Sequence, residues 1–204
     1  ILVHPLYDAV IPNCRRRGIE IAPGAEEFEV RVGDRKERGR IWTARIAPSL
    51  TAYCVESARF FSGRAGIYGE GGRDYPDNPE RFVFFGEAVL WALRRAGQRV
   101  QVIHCHDWQT GFVPAYLRFR HGEEPFFART ASVFTVHNLS FQGLFPAARM
   151  SICNLPWGAY NPEGIEFYGQ VNPMKAGLVY STLLTTVSAR YAREIMTEEM
   201  VCGL

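Results

Sequence analysis

The spacing of hydrophobic and polar positions changes partway along the chain, and the change predicts a change of architecture. Early on, strict two-residue alternation dominates. Glu26 to Val32 and Arg40 to Ala47 (RIWTARIA) alternate on either side of a Gly33-Asp34 turn region, as the two strands of a hairpin do. Leu50 to Val55 (LTAYCV) reads as a further strand, and Ile1 to Val3 as a short one halted by Pro5. Residues 62–79, SGRAGIYGEGGRDYPDNP, form a long loop rich in Gly, Pro, Asp and Asn, in which Tyr68 and Tyr75 argue for order. A helix follows. Asp77 or Asn78 can cap it, Pro79 and Glu80 suit its first turn, and Gly97 ends it after Arg94 and Arg95. Its start, Phe82-Val83-Phe84-Phe85, is apolar nearly all round and predicts burial of that end.

From residue 100 strands and helices alternate. The expected elements are a strand over 100–104, a helix through Leu117, a strand over 131–136 and a long connection over 137–170 with at least one short helix. A helix over 173–180, a strand over 183–187 and a last helix over 189–196 capped by Ser188 complete the set. Such alternation predicts an α/β fold: a Rossmann-like parallel sheet with helices on both faces, carrying the early hairpin at one edge.

Composition narrows the class without naming it. The 204 residues are 47% hydrophobic and 22% charged, and the formal net charge is +2. That balance is ordinary for a globular domain and too small to argue for nucleic acid or a membrane surface as a partner. The dense basic stretch, Arg31 to Arg40, is interrupted by acids and glycines and reads as a solvated turn. Five cysteines, none at C-x-x-C spacing, predict free thiols and a reducing compartment rather than a disulfide framework. Both ends fall within or just after an element, so the chain is expected to be a piece of a longer protein.

Candidate chemistry lies at the strand ends, because ligands of open parallel sheets bind beyond the carboxyl ends of the strands. Those positions hold His106-Asp107-Trp108, His137-Asn138 and Ser188. The run His104-Cys105-His106-Asp107 invites a metal reading. On a strand, however, Val102, His104 and His106 share one face while Ile103 and Cys105 share the other. Cys105 then points away from both histidines, and no second Cys/His cluster stands nearby, so no metal site is expected. His104 reads as a satisfied core histidine and Cys105 as an apolar filler. Asp107 reads either as a site residue or as a helix cap, although Pro114 moves the expected cap to about Gly111. The glycine-rich AGIYGEGG lacks the Gly-Lys-Ser/Thr ending of a phosphate loop. A crevice of His, Asp, Asn and Trp suits a sugar, but a fold class does not name a function.

Longer motifs carry a resemblance. HCHDWQTGFVPAYLR, SVFTVHNLSFQGLFP, GIEFYGQVNPMKAGLVYS and TTVSARYAREIMT, with AGIYGEGGRDYPDNPERF before them, resemble the bacterial glycogen synthase and plant starch synthase family in order and spacing. The match is strongest from Arg64 to Thr197. The resemblance implies a retaining glucosyltransferase of the GT-B arrangement, in which two Rossmann-like domains face a cleft and glucose moves from ADP-glucose to the non-reducing end of an α-1,4-glucan. It implies no cofactor and no catalytic metal, and a cytoplasmic setting in bacteria or a plastid in plants. Residues 1–204 would be most of the acceptor-side domain. The family's first strand with its K-x-G-G-L loop, and its nucleotide-binding second domain, would be missing, so the chain alone is expected to be inactive. By the same resemblance His137 and Asp107 are the catalytic candidates, and Tyr68, Trp108, Gln109 and Asn138 the substrate-binding ones. Lys175 is expected to be structural. Gln109 stands where many members carry histidine, Phe141 replaces a common tyrosine and Pro173 a common phenylalanine. Competing readings are a non-catalytic glucan-binding module, a GT-B enzyme using another sugar nucleotide and, more distantly, a metal hydrolase.

Overall fold

The predicted hairpin is present and longer than its alternation suggested. In a computed structural model that describes residues 1–204, β2 (Ile21–Val32) and β3 (Arg35–Ala47) pair antiparallel around Gly33-Asp34. Gly33 takes the positive φ (59°) that a two-residue hairpin turn demands. The ladder slips between Pro23 and Glu27, and this irregularity ends the clean alternation the sequence shows only from Glu26 onward.

Two units make up the chain, Ile1–Ala96 and Gly97–Leu204. In the first, β1 (Leu2–Pro5) precedes α1 (Val10–Arg16), and β4 (Leu50–Glu56) follows the hairpin. The strands are ordered β1-β4-β3-β2, with β1 parallel to β4 and the other pairs antiparallel. One sheet face buries Ala44, Ala52 and Cys54 against Leu6, with Val10 and Ile11 of α1 packed beside them. The other face receives α2 (Asn78–Arg95), whose Phe84 and Trp91 stack on Phe28 with ring centroids 5.8 and 4.7 Å apart. Gly39 permits that contact, because a Cβ there would lie 2.6 Å from the Phe28 ring and 2.9 Å from Phe84.

The loop before α2 is ordered by a residue whose role the sequence reading did not foresee. Arg81 is 0% exposed. Its guanidinium donates to Phe60 O (2.9 Å), Ile67 O (2.9 Å) and Asn78 Oδ1 (2.6 Å), and it lies over the rings of Tyr75, Phe82 and Phe61. Asn78 in turn donates to Tyr68 O at 2.8 Å, and Arg64 grips Asp77 through two bonds of 2.6 and 3.0 Å. Two short strands, β5 (Gly69–Glu70) and β6 (Arg73–Asp74), close the loop tip. Asp77 occupies the N-cap position, but its carboxylate is committed to Arg64 rather than to the helix.

In the second unit β7 (Val102–His106), β8 (Ala131–Val136) and β12 (Leu183–Thr186) form a parallel sheet in the order β12-β8-β7. β7 begins and ends two residues later than expected, so His106 is its last residue. Helix α3 (Phe112–Phe119) starts after Gly111, as Pro114 requires, and packs with α4 (Pro173–Tyr180). Gly177 of α4 lies so close to the ring of Phe134 on β8 that a Cβ would sit 2.3 Å from it. The same sheet face carries Cys105, buried and pushed up to about 12 by desolvation of its thiolate. The opposite face carries Val102, His104, Leu183 and Thr185, all exposed in this chain. His104 is therefore not a core residue; it lies on this open face and is satisfied there by Thr135, its Nε2 2.6 Å from the hydroxyl.

The long connection contains, besides two short 3-10 turns, three two-residue strands: β9 (Phe145–Pro146), β10 (Glu166–Phe167) and β11 (Gln170–Val171), paired in the order β10-β11-β9. Lys175 staples this region, its Nζ donating to Pro162 O (2.6 Å) and Glu166 O (2.7 Å). That is the structural role expected of it. The last helix, α5 (Ala189–Glu194), is shorter than expected, and Ser188 caps it by accepting from Tyr191 N at 3.0 Å.

Candidate active site

Parallel pairing brings the ends of β7 and β8 side by side, with His106 in register with Thr135. The ladder continues one residue beyond β7, Asp107 N donating to Thr135 O at 3.0 Å. There the chain turns sharply. Asp107 adopts φ 54° and ψ −176°, at the border of the extended positive-φ region that glycine occupies almost alone and other residues enter at a cost. Thr110 closes the turn, its hydroxyl accepting from His106 N (2.6 Å) and donating to His106 O (2.8 Å).

The strained turn aims the Asp107 carboxylate across to the next strand end. Oδ1 accepts from the backbone N–H of His137 at 2.7 Å. The helix-cap reading of Asp107 is thereby replaced, since its side chain caps nothing. The imidazole of His137 meets that of His106, Nε2 to Nδ1 at 3.1 Å, and His104 backs His106 with ring centroids 4.3 Å apart. His106 is held below its ordinary value by burial first and then by the neighbouring His104 and His137, against the opposing pull of Asp107.

Around this pair the other candidates divide. Asn138 is exposed and accepts from Ser140 N through Oδ1 (3.0 Å), which shapes the loop after β8. Tyr191 of α5 anchors the same loop by accepting from Leu139 N at 2.9 Å. Trp108 is only 9% exposed. Its indole lies against Gly143, where φ is 71° and a Cβ would come within 2.3 Å of the ring, so the ring is a wall rather than a free platform. Gln109 follows on the same 3-10 turn (Trp108–Thr110), half-buried. Tyr68 belongs to the first unit, on the loop ordered by Arg81, and is 44% exposed with its ring 6.0 Å from that of Phe82. Asp107, Trp108, Gln109, His137 and Asn138 are thus gathered at two adjoining strand ends. Ser188, at the third, is occupied as a cap.

Sequence reasoning missed the His106–His137 contact, the Thr110 closure and the glycine seat of Trp108. A signal for the first was present: alternation sets His104 and His106 on one face, and the parallel register brings the residue after β8 beside them. No group of three or more His, Cys, Asp and Glu side chains is arranged to hold a metal ion.

Comparisons with known proteins converge. The family model described as the starch synthase catalytic domain matches residues 2–204. A glycogen synthase 2 of Geobacter sulfurreducens is 47% identical over 176 residues, 86% of this chain and 36% of that protein. A glycogen synthase of Syntrophotalea carbinolica is 42% identical over 202 residues, 99% of this chain and 40% of that one. Among solved structures, the catalytic domain of starch synthase IV from Arabidopsis thaliana, bound to ADP and acarbose, matches with a TM-score of 0.85 at 28% identity, over 99% of this chain and 40% of the other. The chain therefore spans about two-fifths of the length of the proteins it resembles.

Proposed function

Because this chain belongs to the starch synthase catalytic domain family, we propose that it is the acceptor-side part of a retaining GT-B glucosyltransferase that builds α-1,4-glucan from ADP-glucose. The reaction breaks the bond between glucose C1 and the diphosphate oxygen. ADP leaves with the electron pair, C1 joins O4 of the terminal glucan residue, and the acceptor hydroxyl's proton passes to the departing diphosphate oxygen. Positive charge grows at C1 on the way, and a site that holds dipoles against it lowers the barrier.

In this reading the exposed surface at the β7 and β8 tips takes a hexose. His137 offers an imidazole edge and a strand-end carbonyl to the sugar. Asp107 fixes the His137 backbone through Oδ1 and keeps Oδ2 for a sugar hydroxyl. Asn138 supplies amide contacts, Gln109 an acceptor contact that differs from the histidine of many relatives, and Trp108 an apolar wall. On the first unit, Tyr68 presents a ring face of the kind that packs on a pyranose, as the motif resemblance implies. The observation that carries the reading is the 2.7 Å bond from His137 N to Asp107 Oδ1, which ties the two strand ends into one unit. The motif resemblance implies the cytoplasm of a bacterium, or a plastid, as the setting. The five cysteines are unpaired, and no helix is long and apolar enough to cross a membrane.

Transfer of labelled glucose from ADP-glucose to glycogen tests the proposal on two proteins, the full-length enzyme containing this sequence and residues 1–204 alone. Robust incorporation by the first and little or none by the second is expected. Full activity in residues 1–204 would show that the leaving-group machinery lies within this chain. Glucan binding without transfer by the full-length protein would favour a binding module instead.

A further inference from the structure

We propose that His106 is a positioning residue that sets the ring orientation and the proton tautomer of His137. The inference rests on the reading of His137 as a site residue and adds to it a partner that the motif resemblance did not assign a role.

Two neutral imidazoles whose nitrogens stand 3.1 Å apart cannot choose their protons independently. Either His106 carries its proton on Nδ1 and donates to His137 Nε2, or His137 carries its proton on Nε2 and donates to His106. In the first case His137 Nδ1 is a donor for a ligand. In the second it is an acceptor. The state of His106 therefore decides what the remaining nitrogen of His137 offers, as partners of active-site imidazoles do elsewhere.

His106 is built to hold such a post. Its backbone is clamped on both sides by Thr110, and its ring is backed by His104. His104 is pinned in turn, its Nε2 2.6 Å from Thr135 Oγ1, which lies 2.6 Å from Thr185 Oγ1 on β12. One polar ladder thus crosses all three parallel strands behind the His106 ring. The titratable groups that face His106 are His104 on its own strand, Asp107 at the strand end and His137 beyond β8. Partial desolvation of an otherwise exposed ring and the two imidazoles favour the neutral form, which can fix a tautomer, because two cations would set N–H against N–H.

The test uses the full-length enzyme containing this sequence, labelled with ¹⁵N-histidine, with His106→Leu, His106→Asn and His106→Ala variants. The wild type is expected to show His137 ring-nitrogen signals of one dominant tautomer. His106→Leu is expected to shift them toward an exchanging mixture and to lower kcat about tenfold or more, with KM for ADP-glucose little changed. His106→Asn, whose amide can donate or accept, is expected to recover most of both. Unaltered His137 signals in His106→Leu overturn the proposal, whether or not the rate falls, since His106 would then act on its own or not at all. Should His106→Leu fail to fold, the same signals in His106→Ala decide. Absence of glucose transfer by the wild type would sink the reading of the site, while the nitrogen signals would still decide whether His106 governs His137.

Discussion

At the scale of single residues, the site depends on one backbone angle. Asp107 accepts a positive φ, and in return its carboxylate reaches the next strand. Asp107→Gly should therefore change stability little in urea unfolding, because relief of the backbone strain offsets loss of the bond to His137 N–H, yet lose most glucose transfer. A variant that unfolded earlier and kept its rate would contradict this. His106 gives a pH signature. Its pKa is below the ordinary 6.5, so the unfolded chain takes up a proton before the folded one does. Its contribution leaves stability intact above that value and erodes it as pH falls below. The drop in urea midpoint between about pH 7 and about pH 5.5 should be smaller in His106→Gln than in the parent. At this scale the sequence was informative about residue identity and silent about contacts. Alternation correctly separated Cys105 from the histidines. It could not tell that His104 lies on an open face, because exposure depends on what covers a sheet, and local pattern carries no record of that.

At the scale of elements, the loop over residues 62–77 has only the two-residue strands β5 and β6 at its tip and is held at its base by a buried guanidinium. Removing Arg81 would strand two carbonyls and the Asn78 side chain that it now satisfies. Arg81→Met should cost about 3 kcal/mol and expose the loop to proteolysis, and Arg81→Lys should recover little, lacking the planar fork. Limited proteolysis with urea unfolding checks both. Gly143→Ala should destabilise by about 2 kcal/mol or more, since a methyl would meet the Trp108 ring in a backbone conformation that disfavours side chains. Strands and helices with a long or repeated pattern were legible: the hairpin, α2, β8 and α4 stand close to where their periodicity set them. The two-residue strands β5, β6, β9, β10 and β11 were not, because a period cannot be read from two positions. The bounds of β7 stand two residues later than expected because Val100, Gln101 and Val102 alternate as the strand itself does, with no turn residue to mark its start.

At the scale of the whole molecule, each unit has its own sheet, and the site candidates other than Tyr68 belong to the second. The α/β class and the parallel sheet followed from the strand-helix alternation, whereas the chemistry came into view only through long motifs in register. A crevice of His, Asp, Asn and Trp fits many ligands, and physics alone stopped there. The central claim is that the β7 and β8 ends work as one unit around a hexose. A double-mutant cycle tests it most directly, measuring kcat for glucose transfer by the full-length enzyme with Asp107→Ala, which removes the acceptor that holds the His137 backbone, with His137→Ala and with both changes. The account predicts that the double variant is scarcely slower than the slower single one. Losses that multiply would contradict it, because the two groups would then be acting separately.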